Sequence, residues 1–153
     1  MSQRDPLRWK LAAFDALSPH ELYALLQLRT EVFVMEQNCP FQDMDGADEQ
    51  ALHLMGSQGE PLLAYARCLP AGVKFAEASI GRVVTRRSAR GLGLGHLLID
   101  EAIRAVSASW GVQPIRIGAQ ARLRDYYCDH GFVDVGVPYV EDGIDHIEML
   151  WTP

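Results

Sequence analysis

Three glycines at alternate positions, Gly91, Gly93 and Gly95, constrain the fold of this chain more than any other feature. The segment before them, residues 78–85, is rich in β-branched residues and predicts a strand. Glycine lets the chain turn sharply and brings backbone amides close to a ligand. Apolar residues then recur at helical spacing and predict a helix: Leu94, Leu97, Leu98, Ala102, Ala105 and Val106. A strand, a glycine turn and a helix in this order indicate an α/β domain.

The same turn carries the main basic cluster of a chain whose net charge is −6. Free amides and the helix dipole favour negative charge at the start of a helix, so the turn predicts a phosphorylated ligand, most simply a pyrophosphate. The glycines do not form a dinucleotide fingerprint, because its third position, counted from Gly91, is His96, and no Gly-Lys-Ser/Thr of a P-loop follows. An ordinary solvated loop is the alternative. The cluster consists of Arg82, Arg86, Arg87 and Arg90.

The other segments alternate between strand and helix signals. Ser18, with Pro19 and Glu21 behind it, predicts a capped helix start. The remaining elements are strands at residues 7–14, 52–56, 62–69, 114–118, 132–137 and 144–151 and helices at residues 19–35 and 121–130. No repeat or linker interrupts residues 1–153, so we predict one mixed-sheet α/β domain.

Composition excludes several classes of protein. A net charge of −6 disfavours a nucleic-acid binder, and no run of 18 apolar residues predicts a membrane span. The charged first ten residues do not resemble an export signal. The chain has 3 widely spaced cysteines, which predict neither a disulfide framework nor a zinc site and fit a reducing cytoplasm.

Two motifs, in order, resemble the GNAT superfamily of N-acetyltransferases. Residues 90–95, Arg-Gly-Leu-Gly-Leu-Gly, are similar to its Arg/Gln-x-x-Gly-x-Gly/Ala signature. Residues 126–132, Tyr-Tyr-Cys-Asp-His-Gly-Phe, are similar to its aromatic-Tyr-x-x-x-Gly-Phe segment. The likeness to the ElaA-like branch extends from about Leu22 to Met149. It implies a single-domain, mostly antiparallel sheet with splayed central strands, flanked by helices.

The resemblance also implies acetyl-coenzyme A as the acyl donor, with no metal. Amides of residues 92–96 would hold the pyrophosphate, and the Val83 amide would polarise the thioester carbonyl. Gln120 stands where many members have asparagine, which leaves its contact with the cofactor less defined. The implied cofactor-binding residues are Val83, Val84, Thr85, Arg90, Gly91, Leu92, Gly93, Leu94, Gly95, His96 and Gln120.

Tyr127 aligns with the residue proposed in the family to protonate the departing thiolate. A phenol carries a proton at neutral pH, since its reference pKa is about 10. The incoming amine must lose a proton, and Glu36, at the end of an apolar helix face, is our catalytic candidate for that step. Four other residues stay open as the base: His53, Glu141, Asp142 and His146.

The acidic segment 43–48 fits a positively charged acceptor or a solvated loop. Its glycine is misplaced for a calcium loop. Arg29 and Arg67 interrupt apolar runs, and we expect them to form structural ion pairs with Glu36 or with an acid of this segment. The sequence therefore predicts an acetyl-coenzyme A-dependent N-acetyltransferase acting on a small-molecule or peptide amine, with a homodimer as an option. The alternative is a non-catalytic module of the same fold that senses coenzyme A or an amine.

Overall fold

The computed structural model describes residues 6–153, which form two antiparallel sheets and three α-helices. The strands are β1 Leu7–Ala13, β2 Leu52–Gln58, β3 Leu62–Leu69, β4 Ser79–Thr85, β5 Ile115–Gln120, β6 Phe132–Glu141 and β7 Ile144–Trp151. The helices are α1 Pro19–Arg29, α2 Leu94–Trp110 and α3 Arg124–Cys128. Among these residues, no helix is both long enough and apolar enough to cross a bilayer.

The two sheets meet along β4 and β5. One sheet has the order β1-β2-β3-β4 and the other the order β5-β7-β6. A single parallel bridge joins Ala78 to Ile115, and the Arg116 amide donates to the Ala78 carbonyl at 2.9 Å. Beyond this bridge the described parts of β4 and β5 do not pair, so the strands separate towards their carboxyl ends. The predicted mixed, mostly antiparallel sheet with splayed central strands is confirmed.

A β-bulge bends β4 where the two sheets separate. The register with β3 passes from Tyr65 opposite Val84 to Arg67 opposite Gly81, so β4 contains one extra residue. Arg82, within the bulge, has a φ of 49°, which is uncommon for a residue with a side chain. A bulge leaves one backbone position unpaired and increases the local twist. The bend directs the end of β4 away from β5.

The start of α1 forms as predicted, but its end does not. The Ser18 amide donates to Glu21 Oε1 at 2.9 Å, and the Glu21 amide donates to Ser18 Oγ at 3.1 Å. The α-helical pattern ends at Arg29, and residues Thr30–Glu36 form a π-helix instead of the predicted continuation. The Thr30 hydroxyl donates to the Leu26 carbonyl at 2.9 Å, and this competition favours a local change in helix geometry.

Helices α1 and α2 cover opposite faces of the first sheet. Leu98, Ile99 and Ala102 of α2 join the larger core, which extends over β5 and β7. Leu25 and Leu28 of α1 pack in a second core against β3 and β4. Because each face of the sheet is covered by a different helix, β4 is covered on both faces near its end.

Segment 43–48 is neither a free acidic patch nor a solvated loop, which corrects both readings of its charge. Arg29 is fully buried and donates to Asp43 Oδ2 and Asp48 Oδ1, each at 2.8 Å. Arg67 is also buried and donates to both Asp45 oxygens, at 2.7 and 2.8 Å. The predicted structural ion pairs of the two arginines with this segment are therefore present.

A third arginine completes this ion-pair cluster. Arg82 Nε donates to Asp43 Oδ1 at 2.8 Å, and its guanidinium lies 5.6 Å from the centre of the Phe41 ring. The three aspartates of the segment thus face three arginines, and their formal charges balance. Arg82 lies in the bulge of β4 and bonds to Asp43, so the segment holds the bulge in place.

Several element ends differ from the sequence prediction. Strand β5 continues two residues beyond Gly118 to Gln120, and the predicted helix 121–130 is a 3-10 turn followed by the short α3. Strand β6 continues past Val137 to Glu141. Its register with β7 shifts between Asp134 and Pro138, where Gly136 has a φ of 78°. Proline is tolerated at such an edge-strand bulge, so the Gly-Val-Pro sequence does not end the strand.

Candidate active site

The separation of β4 and β5 opens a cleft of about 780 Å³. Residues 80–85 of β4 line one side, and residues 117–120 of β5 line the other. The π-helix, the hairpin between β6 and β7, and helix α3 complete its walls. The cleft therefore lies where two strands of a sheet have lost their mutual hydrogen bonds.

The glycine turn leaves three amides without helix partners. Gly91 and Gly93 have φ values of 91° and 80°, and Gly93 is the N-cap residue of α2. The first α2 amide bonded within the helix is that of Leu97, which donates to the Gly93 carbonyl at 3.2 Å. The amides of residues 94–96 precede it and have no helical acceptor. Gly95 and Arg90 also line the cleft, so the start of α2 opens into it.

Three of the predicted site residues form one cluster on the β4 side. Arg90 donates through Nη2 to the Thr85 carbonyl at 2.8 Å and through Nη1 to Glu36 Oε2 at 2.5 Å. Glu36, which we predicted as the base, is thus paired with Arg90, which we predicted at the pyrophosphate. The ion pair engages one of the two carboxylate oxygens of Glu36, Oε2.

Tyr127 lies at the junction of α3 with the cleft. Its residue is 7 % exposed, and its ring packs edge-on against Phe132 and Tyr126. Burial raises the pKa of Tyr127 well above its ordinary value, so the hydroxyl keeps its proton at neutral pH. Tyr126 has a structural contact instead, because its hydroxyl donates to the Gly95 carbonyl at 2.5 Å. The two adjacent tyrosines therefore differ in what their hydroxyl groups are free to do.

Gln120 joins the two sides of the cleft at the end of β5. Its Nε2 donates to Gln37 Oε1 at 3.2 Å, which connects the second sheet to the segment after the π-helix. A second bridge lies nearby, where the Cys39 thiol donates to the Asp142 carbonyl at 3.3 Å. These contacts close the cleft on the face opposite α2 and α3.

The structure separates the candidate bases into two groups. Glu36, Glu141, Asp142 and His146 line the cleft, whereas His53 lies outside its lining and is fully buried in the first sheet. His53 Nε2 donates to the Asp48 carbonyl at 2.8 Å, so its Nδ1 accepts from the Tyr65 hydroxyl at 2.6 Å. Both ring nitrogens of His53 are occupied, and burial is the main cause that lowers the pKa of this imidazole.

Sequence reasoning missed two histidine contacts near the cleft. Tyr139 stacks on His146 with ring centres 5.2 Å apart, and a Cβ on Gly118 would collide with the Tyr139 hydroxyl. At the start of α2, His96 Nδ1 lies 2.7 Å from His130 Nε2. The alternation of side chains along β6 and the glycine within β5 could have indicated the first contact from sequence. The second joins residues on different elements and has no local signal.

Comparisons with protein families, relatives and solved structures agree with the observed fold. The sequence matches the acetyltransferase (GNAT) domain family over residues 16–153. It is 41 % identical to the protein ElaA of Escherichia coli over 145 residues, which cover 94 % of this chain and 95 % of ElaA. The crystal structure of E. coli ElaA superposes with a TM-score of 0.88 at 39 % identity, over 95 % of this chain and 99 % of that one.

Two further solved structures share the fold. An acyl-CoA N-acyltransferase from Pseudomonas aeruginosa has a TM-score of 0.91 at 46 % identity, covering 96 % of this chain and 100 % of the other. An aminoglycoside 6′-N-acetyltransferase in complex with coenzyme A has a TM-score of 0.71 at 17 % identity, over 94 % and 96 % of the two chains, and supports the fold alone. With its splayed strands, its glycine turn and these likenesses over nearly its whole length, the chain belongs to the GNAT acetyltransferase family.

Proposed function

We propose that this protein is an acetyl-coenzyme A-dependent N-acetyltransferase that transfers the acetyl group to an amine by direct attack. The observation that carries the proposal is the cleft between β4 and β5, which opens in front of the free amides of the glycine turn. Membership of the GNAT family supports an acyl-coenzyme A donor.

The donor would bind along β4. The amides of residues 92–96 would hold the pyrophosphate, and the backbone of Val83, Val84 and Thr85 would pair with the pantetheine arm. Arg90 fixes the end of β4 through the Thr85 carbonyl, so it supports this wall. The thioester would then lie where the strands are apart.

Two groups would assist the chemistry at this point. The bulge of β4 leaves a backbone position unpaired next to Val83, and its amide would donate to the carbonyl oxygen as negative charge develops there. Tyr127 would protonate the departing thiolate, because its buried phenol keeps a proton and lines the cleft. The acceptor amine would bind inside the cleft beside Gln120 and the hairpin of β6 and β7.

A binding measurement and a turnover measurement test the proposal. We expect acetyl-coenzyme A to bind with a one-to-one stoichiometry by isothermal titration calorimetry. We expect thiol release above the rate of spontaneous hydrolysis when primary amines are added. No binding at millimolar coenzyme would refute the proposal. Binding without release across the amine panel would instead support a module that only senses coenzyme A.

The glycine turn gives a prediction for cofactor affinity. Gly93→Ala places a side chain at a φ of 80°, which costs roughly 1–2 kcal/mol. The turn would relax and misplace the amides of residues 94–96. We expect acetyl-coenzyme A to bind about tenfold more weakly, measured by calorimetry.

Gly111→Ala is the matched control for this change. Gly111 ends the same helix with a φ of 90°, and a Cβ there would meet no atom within 4 Å, as at Gly93. Gly111 has a ψ of 157°, in a region that is essentially restricted to glycine, so the control should lose at least as much stability as Gly93→Ala in thermal unfolding. It should nevertheless bind acetyl-coenzyme A like the wild type. Equal affinities for the two variants would show that the turn does not hold the cofactor.

A further inference from the structure

His146 has one ring nitrogen that is fixed and one that is free. Its Nδ1 lies 2.7 Å from the Ile144 carbonyl oxygen, which can only accept, so Nδ1 carries the hydrogen. In the neutral imidazole, Nε2 is then an acceptor with an available lone pair. Glu141 Oε2 lies 3.8 Å from Nε2, which is beyond hydrogen-bond distance. The backbone has therefore selected the tautomer that a base requires.

The ring is also held in a fixed orientation. The His146 side chain is only 10 % exposed, and the Tyr139 ring stacks on it at an interplanar angle of 26°. Tyr139 is itself held over Gly118, where no Cβ stands in its way. Burial raises the pKa of Tyr139 to about 12, so Tyr139 stays neutral and gives the imidazole no charge. The imidazole is therefore held between the Ile144 carbonyl and the Tyr139 ring, with Nε2 as its unbonded nitrogen.

His146 lies beside the point where the two sheets separate. In the antiparallel register it stands opposite Gln120, the last residue of β5, and opposite Tyr139 of β6. Directly opposite residues share a face of the sheet, so these three side chains form a row. Ala119 and Ile147 point to the other face and join the core. The row lies on the cleft side opposite α2, where we place the acceptor amine.

The other candidate bases are less suited to this position. Glu36 is engaged by Arg90, and both nitrogens of His53 are bonded outside the cleft. The Glu141 carboxylate is 52 % exposed to solvent. Asp142 is exposed at the hairpin turn with a φ of 51°. Of the five, His146 alone combines burial, a defined tautomer and a free acceptor in the lining of the cleft.

We propose that His146 Nε2 is the general base that removes a proton from the bound ammonium, and that the acceptor is a primary alkylamine that arrives protonated. This inference rests on the proposed acetyltransferase function. Glu141 and Tyr139 of β6 lie beside the imidazole, and Glu148, two residues further along β7 on the same face, pairs with Arg116 of β5. Asp142, Lys74 and Arg122 line the same cleft, and Arg122 donates to Gln120 Oε1. Of these groups, the Glu141 carboxylate lies 3.8 Å from Nε2, so it attracts a protonated amine to this side of the cleft.

The protons balance over the reaction. His146 Nε2 takes one proton from the ammonium, and the neutral amine then attacks the thioester carbonyl. A C–N bond forms and the C–S bond breaks, while Tyr127 gives its proton to the leaving sulfur. The nitrogen loses its second proton, which returns to Tyr127 through solvent, and His146 releases its own proton to water. The net products are the amide, the free thiol and one proton.

Paired amines test this role directly. We would compare wild type with His146→Gln using primary alkylamines, such as ethylamine, and their 2,2,2-trifluoro analogues, which are largely neutral at pH 7. With alkylamines, which have pKa values of about 10, we expect the variant to lose about a hundredfold or more in kcat/KM at pH 7. With the fluorinated analogues the loss should shrink to a few fold, because no proton needs to be removed before attack.

The pH profile and two controls complete the test. The kcat/KM of the variant for alkylamines should keep rising with pH and approach that of the wild type in alkaline solution. His20→Gln, an exposed position on α1 outside the cleft lining, should change neither profile, and acetyl-coenzyme A should bind His146→Gln as it binds wild type. An equal loss with both members of an amine pair, or no loss, overturns the inference. If wild type releases no more thiol with amines than without them, the proposed function itself fails.

Discussion

Tyr127→Phe is expected to lower kcat by roughly 10²–10⁴-fold while leaving acetyl-coenzyme A affinity nearly unchanged. The substitution removes only the hydroxyl, since the ring packs edge-on against Tyr126 and Phe132 and phenylalanine preserves both contacts. Without this donor the thiolate must leave unprotonated or take a proton from water. Steady-state thiol release and calorimetry with acetyl-coenzyme A measure the two quantities separately.

Tyr126→Phe is the matched control for the chemistry of the phenol. This change removes the hydrogen bond from Tyr126 to the Gly95 carbonyl, so it should cost about 1 kcal/mol of stability. Its kcat should fall far less than that of Tyr127→Phe. If Tyr127→Phe retains wild-type turnover, Tyr127 has no part in proton transfer and its place in the cleft is structural.

Arg29→Met is expected to lower the free energy of unfolding by about 3 kcal/mol, or the melting temperature by roughly 10 °C. Arg29 is fully buried in wild type and pairs with Asp43 and Asp48. Methionine fills most of its space but leaves these two carboxylates with one cation fewer. The cost comes from carboxylates left uncompensated within the fold. Denaturant unfolding of the two proteins at neutral pH measures the difference.

Arg104→Met gives the surface counterpart of this change. Arg104 pairs with Glu101 at 2.8 Å on α2, but its side chain is 72 % exposed. Exposed ion pairs contribute little, so the control should lose less than about 1 kcal/mol. Similar losses for the two arginine variants would show that the buried cluster contributes no more than a surface pair.

The same cluster predicts how the stability of this protein depends on pH. The hydrogen bond from Arg67 is the main cause that holds the pKa of Asp45 below its ordinary value. Burial raises the pKa of Asp48, but hydrogen bonds and charge from Arg29, and then Arg67, outweigh it and leave that pKa lowered. Groups with depressed pKa values stabilise the fold above their unfolded pKa of about 4, and this stability is lost as pH falls through the folded pKa. The difference in the free energy of unfolding between wild type and Arg29→Met should therefore become smaller as the pH falls into the acid range.

Local signals in the sequence predicted the parts of the fold that depend on neighbouring residues. The capping box of Ser18 and Glu21 forms as expected, and Gly93 takes the left-handed conformation that opens α2. The bonds involved join residues a few positions apart, so their geometry follows from residue type and spacing. The sequence did not predict the end of the first helix at Arg29, because its apolar pattern continues unbroken beyond this residue. The Thr30 hydroxyl bonds to the Leu26 carbonyl, and the following residues form a π-helix.

The sequence by itself determined the order of elements, the glycine turn before α2 and the family, and it limited the expected partners of Arg29 and Arg67 to Glu36 or the acidic segment. Only the tertiary structure decided what that segment does as a whole and which side chain is free to act as a base. Arg82 meets Asp43 from 39 positions away, and this contact exists only once β4 is folded against the loop. Likewise, the sequence could not distinguish the five candidate bases, because the groups that contact them come from other parts of the fold. The Asp48 carbonyl bonds to His53, the Tyr139 ring packs on His146 and Arg90 pairs with Glu36.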